Sequence, residues 1–423
     1  MSANQADEPV ILVSNDTHVG PRLVEDLRQY CPAKHLDDYD AFATTNGAHT
    51  VPDFLPPHPN RKTPGHYDHK ARIADYDYDG VAAGVLYHGS QNLEPVPFTP
   101  SNSGDADHRG ELVAVGQEIY NRWLADFVSQ APHRHVGLAH LPMWDIEAAT
   151  AELVRAHDSG LRGVNFPTLR EGILEYTDSD WDPFWSACEE RGIPLVTHVP
   201  IGAGSTAKVR RPGWYLSMVH SMETGGWMSR RAIWWMIFGG VFERHPGLKL
   251  VITESPGNWW PWLVAELDGI YEMTMGAARK MMPELVESLP LRPSEYMDRN
   301  VFFGATFTSP VEAKAAVDGG FSTQLMWGTD YPHMEGTFVY PDGTDMPSVT
   351  KLSLRNGFSG IPEESTRRMV GENAIELYNL DRAALQAVAR EINAPTAAEL
   401  ARQVDAVPEG AASFAFRTGS SWA

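Results

Sequence analysis

Cysteine is nearly missing from this chain of 423 residues. Only Cys31 and Cys188 are present, which is too few for a disulfide framework. A reducing compartment suits such a composition, and we therefore expect a cytoplasmic protein. Residues 1–8 are polar and acidic, unlike the apolar core of a secretory signal, which agrees with that expectation.

Long apolar runs are also missing. The most apolar stretch, residues 232–242, is too short to span a bilayer and is followed by charged residues. The sequence therefore predicts a protein that does not cross a membrane.

Positive charge is scarce, with 34 Lys and Arg against 55 Asp and Glu and a formal net charge of −21. A surface that binds nucleic acid or an anionic membrane needs an excess of cations, so neither partner is expected. The balance does not exclude a small anionic substrate, because a local pocket or a metal can still bind one. Hydrophobic residues make up 43% of the chain, enough for a large core.

Eight β-like runs are present, and most of them are followed by a helical pattern. Parallel strands need crossover helices, and eight such units close on themselves, so we predict an α/β protein with a (β/α)8 TIM barrel. A doubly wound open sheet would need a phosphate loop after an early strand, and residues 16–21 form none. The runs are residues 10–15, 81–87, 136–141, 163–166, 195–199, 248–253, 301–305 and 323–327.

The barrel is predicted to occupy residues 1–380, with long insertions at about 21–79 and 200–228. Helices are expected at 111–130, after an N-cap at Asp145, and at 182–191, 229–244 and 363–377. Residues 381–423 read as a C-terminal helix followed by a tail rich in Gly, Ser and Ala. We expect this extension to pack on the barrel exterior or on a partner subunit.

Three of the strand-like runs end in side chains that can bind a metal. Asp16 and His18 follow the first run, and their spacing of two places both on one face of an extended segment. His198 follows the fifth run, and Asp330 follows the eighth. Side chains at the carboxyl ends of barrel strands meet at one rim, so these residues suggest a Zn²⁺, Fe²⁺ or Mn²⁺ site, most simply zinc.

Each of these residues also has an ordinary structural interpretation. Asp16 could cap a turn, His198 could be a hydrogen-bonded loop histidine, and Asp330 could cap the next helix. An acid that leaves a buried strand must be paired or metal-bound, however, and we assign Asp330 to the metal and to general-base catalysis.

A second set of candidates lies near the same rim. Glu254 ends the sixth strand-like run, His220 lies in the Gly-rich insertion, and His333 follows Asp330 by three residues. Each is predicted as a catalytic residue. Glu254 and His333 could instead bind a metal, and an ordinary polar role in a loop is the alternative for all three. An Arg210–Arg211 pair could hold a substrate carboxylate, although such pairs are more often solvated.

Several segments in this order resemble the amidohydrolase-related family of metal-dependent hydrolases and decarboxylases, the group that includes aminocarboxymuconate-semialdehyde decarboxylase. They include SNDTH at 14–18, PLVTH at 194–198, ESPGNWWP at 254–261 and GTDYPH at 328–333. The resemblance implies a metal at the barrel mouth, held by the Asp16 and His18 pair, His198 and Asp330. Asp16 stands where many relatives have a histidine, although Asp-x-His is a known variant, and two further positions depart from the family pattern. Gly20 stands where an acid is common, and Glu254 stands where many decarboxylases have histidine.

The resemblance implies hydrolysis or non-oxidative decarboxylation of a small carboxylated substrate, with Asp330 accepting a proton. The alternative is a subunit of a non-haem metal oxygenase similar to 2-aminoisobutyrate hydroxylase, holding one metal beside a catalytic paralogue. A structural protein with a vestigial site is the third hypothesis. We expect a homodimer or a hetero-oligomer with a related barrel subunit.

Overall fold

The chain forms a parallel sheet of eight strands that curves into a barrel. A computed structural model describes residues 8–48, 58–99, 110–167, 169, 172–198, 219, 223, 226–255, 257–281, 287–341, 347–407 and 413–417. In this part of the chain the strands follow one another around the sheet in sequence order. They are β1 (Val13–Val19), β2 (Ala83–His88), β3 (His135–Ala139), β4 (Gly163–Asn165), β5 (Leu195–Thr197), β6 (Leu250–Ile252), β7 (Val301–Thr306) and β8 (Leu325–Gly328).

The barrel closes between the segment after β8 and β1. Thr17 forms a parallel bridge with Tyr331. The backbone N–H of Asp330 donates to the carbonyl of Asp16 at 3.0 Å, and the N–H of His18 donates to the carbonyl of Tyr331 at 2.6 Å. The predicted (β/α)8 barrel is confirmed, and its closure joins the two segments that carry Asp16, His18 and Asp330.

Helices alternate with the strands and cover the sheet. They are α1 (Leu36–Asn46), α2 (His69–Asp79), α3 (Glu111–Ser129), α4 (Ile146–Asp158), α5 (Asp182–Arg191), α6 (Arg231–Phe238), α7 (Val241–Arg244), α8 (Trp260–Met281), α9 (Pro293–Asn300), α10 (Pro310–Asp318), α11 (Val349–Phe358), α12 (Glu363–Arg367), α13 (Asn373–Leu377), α14 (Arg382–Glu391) and α15 (Ala397–Leu400). None of the helices in the described ranges is both long and apolar enough to cross a membrane.

Alternation along the strands separates two apolar layers. Val85, Leu138, Val196 and Met326 belong to the cluster inside the barrel. Their strand neighbours, such as Leu86, belong to the larger cluster between the sheet and the helices. Successive strand residues point to opposite faces, so each short apolar run supplies both layers.

The C-terminal helix α14 covers the amino-terminal end of the barrel. Leu385 and Ala389 are buried in the same cluster as Ile11, and Gln386 donates from Nε2 to the carbonyl of Pro9 at 2.9 Å. This end is opposite to the strand ends that carry the candidate ligands. The division of the chain at residue 380 stays a prediction.

The first strand differs from its predicted bounds. It was expected at residues 10–15, whereas β1 spans Val13–Val19, so Asp16 and His18 lie within the strand. The pairing register with β2 shifts between Ser14 and Thr17. Pairing with β2 on one side and with Tyr331 on the other keeps these polar residues extended, an effect of long-range contacts that local patterns do not reveal.

Three other segments differ from their expected form. The first insertion, 21–79, contains the helices α1 and α2. The expected helix 229–244 divides into a short turn, α6 and α7, because Gly240 adopts φ of 68° and interrupts the α-helical backbone. The expected helix 363–377 contains a π turn at Arg368–Glu372. Most of the second insertion, 200–228, lies outside the described residues.

Candidate metal centre

Asp16 and His18 project from β1 into the carboxyl end of the barrel, and both are buried. Asp16 Oδ1 lies 3.2 Å from His18 Nε2. Thr306, at the end of β7, donates its hydroxyl to the other oxygen, Asp16 Oδ2, at 2.6 Å. This bond directs Oδ1 toward the imidazoles.

The His18 ring is oriented from its other nitrogen. Nδ1 lies 3.3 Å from the carbonyl oxygen of His88. A proton on Nδ1 would donate to that carbonyl and leave the Nε2 lone pair facing the carboxylates. The backbone of His18 is held as well, because the buried guanidinium of Arg72 donates to its carbonyl.

Asp330 approaches His18 from the segment after β8. Its Oδ1 lies 3.1 Å from His18 Nε2 and 3.0 Å from His333 Nδ1. Asp330 adopts φ of 55°, the left-handed region that few non-glycine residues occupy. Such strain persists only where the surrounding contacts hold it, and it is common at functional sites.

His198 and Glu254 complete the rim from β5 and β6. His198 Nε2 lies 3.4 Å from Asp16 Oδ1 and 3.6 Å from Glu254 Oε2. Glu254 also has a left-handed backbone, with φ of 52°. Both side chains are partly exposed, unlike the fully buried Asp16 and Asp330.

His333 forms a second layer against His18. The two rings stack with their centroids 4.0 Å apart, and His333 Nε2 lies 2.9 Å from the carbonyl of Gly89. The structure thus contains two overlapping groups of potential ligands: Asp16, His18 and His198, and His18, Asp330 and His333.

The two buried aspartates remain ionised in this environment. Burial raises the pKa of Asp16, but the imidazoles of His18 and His198 outweigh burial and lower the pKa below its usual value. Burial likewise raises the pKa of Asp330, but His333 and His18 lower it by more, so the pKa lies below its usual value. The site therefore concentrates negative charge around the nitrogen atoms.

Glu254 and His333 respond in the opposite direction. Burial, together with the charges of Asp330 and Asp16, raises the pKa of Glu254 to about 8, although His198 opposes this. Burial lowers the pKa of His333, but the Asp330 carboxylate outweighs it and raises the pKa to about 10. Each group holds a proton that a bound cation would compete with.

The donor set fits a divalent metal ion. Among the described residues, no hydrogen-bond partner reaches Asp16 Oδ1, His18 Nε2 or either carboxylate oxygen of Asp330. His18 Nε2 lies 3.2 Å from Asp16 Oδ1 and 3.1 Å from Asp330 Oδ1, and His198 Nε2 lies 3.4 Å from Asp16 Oδ1. These separations match those between two ligands of one ion. Ligands about 2.1 Å from a tetrahedral or octahedral ion lie roughly 3.0–3.4 Å apart. Carboxylate and imidazole ligands suit Zn²⁺, Mn²⁺ or Fe²⁺.

Comparison with known proteins gives the family. The family model described as amidohydrolase matches residues 48–380, more than half of the chain. The chain belongs to the amidohydrolase family. The matched range contains β2 to β8 and begins after β1, so Asp16 and His18 lie outside it.

Two curated amidohydrolase relatives are decarboxylases by name. The chain is 28% identical to 2-amino-3-carboxymuconate-6-semialdehyde decarboxylase of Dictyostelium discoideum over 62% of this chain and 66% of that protein. It is 24% identical to gamma-resorcylate decarboxylase of Rhizobium sp. over 47% of this chain and 58% of that protein. The matches thus span less than two thirds of either relative.

A solved amidohydrolase barrel has the same fold. It is 5-carboxyvanillate decarboxylase of Novosphingobium aromaticivorans, described with bound manganese and a nitrobenzoic acid. The TM-score is 0.61 at 17% identity, and the superposition covers 89% of this chain and 99% of that one. The expected family and barrel fold of this amidohydrolase are confirmed.

Of the site residues predicted from the amidohydrolase sequence, the structure brings six together: Asp16, His18, His198, Glu254, Asp330 and His333. His220 lies outside the described residues, as do Arg210 and Arg211. Of the three tryptophans that follow Glu254, Trp259 and Trp260 are buried, whereas Trp262 is exposed.

Sequence reasoning missed several residues of the same rim. Tyr87 places its ring 4.8 Å from that of His198 and shares a hydrogen bond of 2.8 Å with Thr253. His140 and Asn165 stand at the ends of β3 and β4. The alternation of inward and outward positions along the strands could have identified them, since each lies two residues after an inward position.

Proposed function

We propose that this protein is a metal-dependent enzyme that catalyses non-oxidative decarboxylation of a small carboxylated substrate. The convergence of Asp16, His18, His198 and Asp330 at the carboxyl end of the barrel carries the proposal. The names of the relatives support it, since they are decarboxylases of carboxylated substrates. We propose these four side chains as metal ligands, with zinc, manganese or iron as the ion.

A bound divalent ion would supply Lewis acidity that polarises a substrate oxygen. Asp330 is then placed to handle the proton. Its Oδ1 faces His18 and His333, whereas its Oδ2 has no hydrogen-bond partner among the described residues. We assign Oδ2 to proton transfer. The ionised carboxylate would first take up a proton from solvent or from a substrate hydroxyl and then pass it to the carbon that loses carbon dioxide: the C–C bond breaks, its electrons stay on that carbon, and the proton replaces carbon dioxide.

Glu254 and His333 are proposed as the supporting acid–base residues. Glu254 faces the site beside His198, and the neutral acid would donate a hydrogen bond to a substrate oxygen. His333 contacts Asp330 Oδ1 and would stabilise the carboxylate once Oδ2 has released its proton. His220 remains a proposed catalytic residue on sequence grounds alone.

The comparisons favour decarboxylation over the oxygenase alternative. The second ion of a dinuclear site would call for an acid at position 20, where this chain has glycine. A Cβ at Gly20 would lie 1.9 Å from the side-chain oxygen of Asn92, whose amide donates to the Gly20 carbonyl. An acidic side chain therefore does not fit here without a shift of Asn92.

The predicted dimer or hetero-oligomer stays a prediction.

The proposal is tested on the full chain reconstituted with Mn²⁺, Zn²⁺ or Fe²⁺. We expect the protein to retain about one ion per chain and to release carbon dioxide from at least one carboxylated phenol, such as 2,6-dihydroxybenzoate or 5-carboxyvanillate. Asp330→Asn keeps the size of the side chain, removes its ability to carry the proton, and should lower kcat at least 100-fold. Full activity in the metal-free protein, or in Asp330→Asn, would reject the proposal.

A further inference from the structure

Two polar side chains extend the rim of the site along β3 and β4. Leu138 of β3 and Val196 of β5 belong to the cluster inside the barrel. His140 follows Leu138 by two residues, and Asn165 pairs in register with Val196. Both positions therefore face inward at the carboxyl end, where catalytic side chains of barrel enzymes lie.

The two side chains contact each other. Asn165 Nδ2 lies 3.2 Å from His140 Nε2, and both residues are partly exposed. Asn165 is also next to the candidate metal centre, because β4 pairs with β5 and His198 follows Val196 by two residues. Adjacent strands are about 4.8 Å apart and two residues rise about 6.6 Å along a strand, so the backbone positions of Asn165 and His198 are roughly 8 Å apart, a gap that a substituted aromatic ring with its hydrogen bonds can span.

His140 is held in place from behind. Asn121 of α3 is buried, donates from Nδ2 to the carbonyl of His140 at 2.8 Å, and accepts from the N–H of His140 at 2.8 Å. Glu152 in turn accepts from the same Asn121 amide at 2.5 Å. A pair of bonds to both backbone groups fixes the residue, and such preorganisation is typical of binding sites.

The pair is uncharged. Burial lowers the pKa of His140 to about 4, so its ring is neutral near pH 7. A neutral Nε2 accepts from the Asn165 amide, which leaves one amide hydrogen and the Asn165 side-chain oxygen available to a ligand. Among the described residues, no other group forms a hydrogen bond with these two. An amide that can donate and accept matches a hydroxyl group, which can do both.

We propose that His140 and Asn165 form a substrate subsite that hydrogen-bonds a ring hydroxyl of an aromatic carboxylate bound at the metal centre. This subsite deepens the proposed function and rests on it. It predicts that the substrate carries an uncharged oxygen substituent on the part of the ring that faces β3 and β4. A second carboxylate at this place would find no cation in the pair, and burying it unpaired is costly.

The test uses ligands that cannot react. In 2-nitrophenol a nitro group stands in for the carboxylate, and the adjacent hydroxyl stands in for the substrate oxygen that the metal would polarise. The four dihydroxynitrobenzenes derived from it add a second hydroxyl at each open ring position, and only this added group reports on the subsite. Their affinities for the manganese-loaded full chain are measured by calorimetry. In the wild type we expect at least one added hydroxyl to tighten binding about fivefold, the effect of one net hydrogen bond.

Asn165→Ala should abolish this gain while leaving the affinity for 2-nitrophenol unchanged. Asn46→Ala, on α1 and outside the barrel mouth, is the matched control and should keep the gain. If Asn165→Ala loses its metal or unfolds, Asn165→Leu replaces it. Leucine keeps the approximate size of the side chain, has no hydrogen-bonding group, and should likewise abolish the gain. A wild type that gains nothing from any hydroxyl, or a gain that persists in both Asn165 variants, would overturn the subsite.

Failure of the two proposals can be told apart. The nitro compounds report only binding, whereas carbon dioxide release from carboxylated phenols reports only the reaction. Hydroxyl-dependent binding without carbon dioxide release would support the subsite and reject decarboxylation. Carbon dioxide release without hydroxyl-dependent binding would support decarboxylation and reject the subsite.

Discussion

At the scale of single residues, Thr306 determines the orientation of a proposed metal ligand. Its hydroxyl donates to Asp16 Oδ2 at 2.6 Å, which leaves Oδ1 facing His18 and His198. Residues that orient a ligand in this way commonly change metal affinity 10- to 100-fold, as an order of magnitude, when they are replaced.

We therefore expect Thr306→Val, which keeps the shape of the side chain, to weaken Mn²⁺ or Zn²⁺ binding roughly 10-fold or more. The measurement is a metal titration against a competing chelator. Thr308→Val is the control, since Thr308 is also buried but donates to the carbonyl of Ala305 rather than to the site. Equal metal affinity in the two variants would contradict the assigned role of Thr306.

A second residue, Asp79, makes stability depend on pH. It is buried at the end of α2 and accepts hydrogen bonds from Ser348 at 2.7 Å and Thr350 at 2.5 Å. Burial raises its pKa from 3.8 to about 7 despite these bonds. The folded state thus holds the proton more tightly than the unfolded state, and stability falls as pH rises from about 4 to 7.

Asp79→Asn removes this titration. The free energy of unfolding of the wild type relative to the variant should fall between pH 4 and 7, by at most about 4 kcal/mol, and stay constant above pH 7. Urea unfolding at several pH values measures it, with exposed Asp38→Asn as the control. A pH-independent difference between wild type and Asp79→Asn would show that the carboxyl is ionised throughout.

At the scale of elements, α2 connects the first insertion to the site. Its Arg72 is fully buried and donates to Gly65 at 3.0 Å and to Tyr76 at 2.9 Å, as well as to the carbonyl of His18. The guanidinium also lies 4.6 Å from the ring centroid of Tyr331, the residue after Asp330. One side chain thus contacts both segments that carry Asp16, His18 and Asp330.

Arg72→Met should leave the buried carbonyls of Gly65 and His18 without this donor and lower the free energy of unfolding by about 2–4 kcal/mol. Metal affinity should fall as well, because the backbone of His18 loses its support. Denaturant unfolding and metal titration are the measurements. Arg122→Met removes a partly exposed pair with Glu118 on α3 and should cost less than about 1 kcal/mol. Similar losses in both variants would refute the special role of Arg72.

At the scale of the whole molecule, the C-terminal segment is bound to the barrel by a buried ion pair. Arg417 pairs with Glu312 of α10, and both are almost completely buried. Glu312 also accepts from the N–H of Gly257 at 2.7 Å, in the loop after Glu254. Arg417 donates in addition to the carbonyl of Phe307 at 2.6 Å. The end of the chain is therefore connected to the loop that carries a proposed acid.

Arg417→Met leaves the Glu312 carboxylate buried without its cation, which should cost about 3–5 kcal/mol. The double variant Arg417→Met, Glu312→Gln removes both charges and should recover part of that loss. Denaturant unfolding of the wild type, of both single variants (Arg417→Met and Glu312→Gln) and of the double variant measures the difference. If the loss in free energy of unfolding of the double variant equalled the sum of the losses of the two single variants, the two charges would not stabilise each other.

The sequence by itself determined the barrel and most of the candidate site. Eight apolar runs separated by helical patterns specify parallel strands with crossover helices, because parallel pairing and burial on both faces require that pattern. Polar residues that end such runs must gather at one rim. For that reason Asp16, His18, His198, Glu254, Asp330 and His333 could all be identified before any contact between them was known.

Only the tertiary structure decided how these groups are held. Residues 16–19 are a strand because β2 and Tyr331 pair with them, although their polar composition indicates a loop. Thr306, Arg72 and the His140–Asn165 pair act on partners far away in sequence. Such contacts depend on register and packing between distant segments, which local periodicity does not encode. The chain pattern thus fixes which end of the barrel is polar, and the fold fixes where each polar atom points.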